Sequence, residues 1–222
     1  MSELTDAPPT ARSTGLLLII TAIVMVAFMA THPTVHHHDP EGFIAEVGRI
    51  ATLNAVVHGS LIAVLCTLTV GMWGLAHRLW FGFLPVRLGC AAYTLGTAFL
   101  TLPALINGFV IGAFIERYAP DAAATQNQWR PVLELCHEFS HILSQAGVIG
   151  MSAGTLLWSI VLAHRPGAAR LLGALGALCS VVPLALLFVG RLPMNVHGFG
   201  LFVLMQGVFG VAVGVQLLRA RI

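Results

Sequence analysis

The chain has 222 residues, 57% of them hydrophobic and only 9% charged, with a formal net charge of +2. Such a composition excludes an ordinary water-soluble domain. All eleven basic residues are Arg, scattered without a basic stripe, so no nucleic-acid partner is expected.

A hydrocarbon core of about 30 Å takes roughly 20 helical residues to cross. Apolar runs of suitable length fall at 16–30 (extending toward 35), 53–75, 88–114, 132–162, 171–189 and 196–218. They predict an all-α, polytopic membrane helix bundle of about six transmembrane helices. Residues 1–14 read as a polar cytoplasmic tail and 15–222 as one transmembrane domain. With the N-terminus inside, Arg12, Arg78, Arg87, Arg165, Arg170, Arg219 and Arg221 lie on the inner face, and Arg49, Arg117, Arg130 and Arg191 on the outer. That bias obeys the positive-inside rule and puts both termini in the cytoplasm. The expected setting is a lipid bilayer, the inner (plasma) membrane of a bacterium.

The first span ends in His32, Pro33, Thr34, Val35, His36, His37, His38, Asp39, Pro40 and Glu41. His-rich tracts bind metals through neutral ring nitrogens, and a solvated loop that binds nothing competes with that reading. In the second span, Asn54 and His58 stand one turn apart, and His58 is the only His or charged residue between Arg49 and His77. The third span carries Thr94, Thr97 and Thr101 on one face, then Pro103 and Asn107. These hydroxyls suit helix packing, and the proline a bend.

The fourth span opens with the densest polar pattern in the chain. Glu134, His137, Glu138 and His141 recur at three- and four-residue spacing, so a helix stacks them on one face with Gln145. His137, Glu138, Phe139, Ser140 and His141 spell HExxH, in which two imidazoles one turn apart hold zinc and the intervening Glu acts as general base. The fifth span is almost wholly Leu, Ala, Gly and Val. Asn195 and His197 begin the sixth. The four cysteines, Cys66, Cys90, Cys136 and Cys179, fall within spans and form no CxxC pair.

Under this topology three spans deliver imidazoles from one side, which predicts an outer-face transition-metal site. His58, His137, His141 and His197 are the expected ligands, with Glu134 as ligand or orienting partner and Glu138 as the candidate catalytic base. Zinc is expected first, with copper or iron as alternatives. The HExxH stretch resembles the zincin metalloproteases, including intramembrane members that carry it within a span, and that resemblance implies a zinc-dependent membrane hydrolase. Intramembrane members take their third ligand from a downstream acidic residue, whereas this chain has none after Glu138. Two readings compete with a hydrolase. One is a membrane cytochrome whose haem b is clamped by two histidines, here His58 with His141 or His137. The other is a non-catalytic scaffold subunit. Whether the protein is an enzyme stays open at this stage.

Overall fold

In the computed structural model, residues 9–33, 40–118 and 122–219 are described. They fold into α1 (Pro9–Ala30), α2 (Pro40–Arg78), α3 (Leu84–Leu105), a π-helical turn (Ile106–Val110), α4 (Ile111–Tyr118), α5 (Ala122–Ala163), α6 (Ala168–Phe188) and α7 (Val196–Leu218). The segment from α3 through the π turn to α4 is continuous, so six helices are long and apolar enough to cross a membrane. The expected helical bundle is therefore present.

The helices close into a ring in chain order. α1 packs on α2, α2 on α3, α3 on α5, α5 on α6 and α6 on α7, and α7 returns to pack on α1. Small residues permit the closest approaches. A Cβ on Gly15 of α1 would stand 2.7 Å from the Gly214 carbonyl oxygen of α7, and one on Gly214 2.6 Å from that of Gly15. Between α3 and α5, a Cβ on Gly150 would meet the Cα of Gly96 at 2.7 Å, and one on Gly154 the Gly89 oxygen at 2.7 Å. Lipid is as apolar as a leucine face, so association in a membrane rests on such close van der Waals packing. Polar groups at these seams satisfy one another: Thr69 and Thr97 share a 2.8 Å hydroxyl contact, and the buried Trp158 Nε1 donates to the Val86 carbonyl at 3.1 Å.

The ring is uneven in height. At 1.5 Å per residue α1, α6 and α7 are each about 32–35 Å long, matched to a bilayer, whereas α2, α3 through α4, and α5 run to about 50–63 Å. Glycine contacts fix the register. Gly71 of α2 lies beside Leu18 of α1, and Gly173 of α6 beside Ser159 and Ala163 of α5. Counting back along α2 puts His58 level with the last turn of α1, and the same count puts Gln145 level with the end of α6. The three long helices thus overshoot at one end only, by about 20–30 Å.

Two expectations change. Residues 9–14, read as part of a polar tail, are helical and open α1. The apolar runs expected to begin near 53 and 132 lie inside helices that start at Pro40 and Ala122. Hydropathy detects the lipid-facing part of a helix and is blind to a polar continuation above it.

If backbone contact holds the ring, Gly96→Ala and Gly150→Ala lower stability by about 1–3 kcal/mol through overpacking. Gly200, whose added Cβ meets nothing within 4 Å, tolerates the same change without loss. Thermal unfolding in detergent compares the three, and equal stability would contradict this packing.

Candidate metal site at the histidine end

Inside the ring, at the overshooting end, lies a cavity of about 360 Å³. Every helical layer but α6 contributes to it. His32 and Met29 enter from α1 and its exit, and Asn54 and His58 from α2. Pro103 and Asn107 come from the bend, His137 and His141 from α5, and Phe202 and Gln206 from α7.

The bend explains one wall. Proline at 103 cannot donate a helical hydrogen bond, and the ladder downstream widens into the π turn. The freed Asn107 carbonyl accepts from the Asn54 side-chain amide at 2.6 Å, pinning α2 to the turn. Gly108 faces His58 so closely that a Cβ there would collide with the His58 side chain.

His58 is only 6% exposed, and its Nδ1 lies 2.9 Å from the Asn54 backbone carbonyl, one turn earlier. His32 follows the last turn of α1, and its Nδ1 lies 2.8 Å from the Pro33 carbonyl. A carbonyl oxygen only accepts, so both Nδ1 atoms carry the proton and donate. Each Nε2 then presents a lone pair, and the two Nε2 atoms face each other at 3.4 Å with ring centroids 4.8 Å apart, edge to face. Burial pushes the His32 pKa below its ordinary value, which favours the neutral ring. Two lone pairs at this distance repel unless a proton or a metal cation sits between them.

Across the cavity, the His137 and His141 rings lie nearly parallel with centroids 6.4 Å apart, one helical turn from each other. The Gln145 amide, one turn further, lies 3.4 Å from His141 Nε2 and can donate to it. The remaining residues of the expected site lie elsewhere. Glu138 and His197 are exposed and do not line the cavity. Glu134 pairs with Arg130 at 2.7 Å on the outer surface of α5. Asn195 caps α7, its side chain accepting from the His197 and Gly198 amides at 3.1 Å, which ties that stretch to helix initiation. Among the described residues, no three His, Cys, Asp or Glu side chains converge tightly enough to hold a metal ion. His36, His37 and His38 lie outside the described residues.

The sequence pattern groups His32 in a loop with His36, His37 and His38, whereas its ring meets that of His58. The available signal was its position: like His58, it stands where an apolar run meets the membrane rim. No protein-family pattern, characterised protein or solved structure matches the chain.

The tautomer assignment is testable by ¹⁵N NMR of imidazoles in metal-free protein near neutral pH. Both His32 and His58 are expected to show protonated Nδ1 and bare Nε2, and Gly108→Ala is expected to shift the His58 signals. A protonated Nε2 on either neutral ring would contradict the geometry.

Proposed function

We propose that this integral membrane protein binds a transition metal at the histidine end of its ring, with His32 and His58 as the paired first ligands. The observation that carries the reading is the facing Nε2 pair. Two metal–nitrogen bonds of about 2.05 Å meeting at a tetrahedral angle separate their nitrogens by about 3.3 Å, and these stand at 3.4 Å. Each imidazole is already oriented by a backbone acceptor on its other nitrogen, the usual way a protein sets the tautomer of a metal-binding His. His141 and His137 are the other two imidazoles that line the same cavity.

Imidazole donors without carboxylate or thiolate favour zinc, with copper the alternative, and disfavour magnesium or calcium. Ring centroids 4.8 Å apart leave no room for a porphyrin plane between His32 and His58, so the competing haem b reading keeps its own pair, His58 with His141 or His137. The arrangement does not favour hydrolysis. Glu138, the would-be general base, is directed away from the cavity, so the HExxH stretch enters this reading as a source of two imidazoles. The Arg bias supports an extracytoplasmic setting for the site, and the reading takes the membrane to be a bacterial plasma membrane. There the overshooting helices give a metal ion access without crossing lipid.

Metal analysis of purified protein tests the reading. Wild type is expected to carry a stoichiometric transition metal, and His32→Ala and His58→Ala each to lose most of it. His197→Ala and Glu138→Gln are expected to retain it. A metal-free wild type, or equal loss in all four variants, would remove the proposal.

A further inference from the structure

The cavity that holds the histidines continues inward with a sorted lining. Where α1, α2 and the bend reach it, a polar residue stands at the histidine end and an apolar one about a turn deeper. Met29 lies below His32, Leu61 below His58 and Ala104 below Asn107, each pair three residues apart and so on one face. On α7 the apolar part runs on through Phe199 to Val203, eight residues and about 12 Å beyond Asn195. Met29, Leu61, Ala104, Phe199 and Val203 are half-buried rather than sealed in the core. The cavity is therefore a chamber with a polar mouth and greasy walls.

The lining also restricts what enters. No Asp, Glu, Lys or Arg lines the cavity. A charged group finds no counter-charge in the apolar part. The volume of about 360 Å³ lies at the lower end of the range for small-molecule sites, which suits one hydrocarbon chain better than the two chains and charged head of a phospholipid.

Asn107 supplies the group that holds a polar head. Its backbone carbonyl is taken by Asn54. Among the described residues nothing hydrogen-bonds its side-chain amide, and neither polar atom of that amide is enclosed. An amide offers both donors and an acceptor, and a hydroxyl, which donates and accepts, is its complement.

We infer that the cavity binds an uncharged single-chain amphiphile, its hydroxyl on the Asn107 side-chain amide and its hydrocarbon chain along Leu61, Phe199 and Val203. Such a molecule dissolves in the bilayer. The inference goes beyond the metal reading and does not rest on it, because neither the Asn107 amide nor the apolar walls are metal donors.

The test uses the full chain in lipid nanodiscs, titrated with tritiated 1-decanol and with decane as the matched hydrocarbon, empty discs giving the partition background. Wild type is expected to bind 1-decanol saturably and to prefer it to decane. Asn107→Leu keeps the backbone carbonyl that Asn54 uses. It should weaken 1-decanol binding by roughly threefold to tenfold, the worth of one hydrogen bond, and leave decane unaffected. Leu61→Trp fills the chamber and should abolish saturable binding, whereas Phe199→Ala enlarges it and should raise the affinity for 1-dodecanol relative to 1-decanol. Chelator-treated wild type should bind 1-decanol as untreated protein does, and Asn107→Leu should keep its metal. Absence of saturable binding in wild type, or equal preference for alcohol and alkane, overturns the inference. So does unchanged 1-decanol affinity in Asn107→Leu, an unchanged chain-length preference in Phe199→Ala, or loss of binding on chelation. Failure of the metal reading appears separately, in the metal content.

Discussion

The thickness of the hydrocarbon layer is the constraint from which the rest follows. Three helices of this ring are cut to it and three outrun it at the same end, so the bundle has a rim where lipid stops and protein continues. His32 and His58 meet at that rim, and His141 is close to its level on the opposite wall. Glu134 and Glu138 stand above it on α5. An ionisable group at the bilayer centre costs several kcal/mol. Toward the end of the bundle these side chains avoid much of that cost.

The local backbone does the fine positioning. Pro103 opens the π turn, the turn frees the Asn107 carbonyl, and Asn54 uses that carbonyl to hold α2 against the bend. The same Asn54 offers its own carbonyl to His58 Nδ1. Gly108 leaves room for the imidazole that results. One proline, two asparagines and one glycine therefore set the direction of one lone pair, and the chain exit at Pro33 sets the direction of the other. Below them the Thr155 hydroxyl donates to the Gln206 side-chain oxygen and ties α5 to α7. The cavity is polar toward the histidine end and greasy beneath it.

Much of the fold was legible in the sequence because about 20 consecutive apolar residues have few alternatives to a membrane helix. The span 196–218 matched α7 to the residue. The overshooting ends were not legible, since a polar helix beyond the membrane lacks the hydropathy that marks a span. For the site, spacing gave depth along a helix but not its rotation. His58, His137 and His141 could be placed near one level, and they do share the cavity. His197 had an equally suitable depth and faces outward instead. His32 was hidden by its neighbour, because Pro33 ends the helix and makes the residue read as part of the loop. That α1 and α2 bring their histidines together is a fact of tertiary packing, set by glycines at 71 and 74 that no pairwise spacing reveals. Gln206 stood alone in an apolar span and gave no hint of its hydrogen bond to Thr155.

These features describe a membrane protein whose histidine end pairs two imidazole nitrogens, those of His32 and His58, 3.4 Å apart. The most direct measurement is X-ray absorption at the metal edge on purified protein. The account predicts a first shell containing nitrogen at about 2.0 Å with the outer-shell scattering of imidazole, diminished in His58→Ala. A first shell of oxygen or sulfur alone, or imidazole scattering unchanged in that variant, would contradict it.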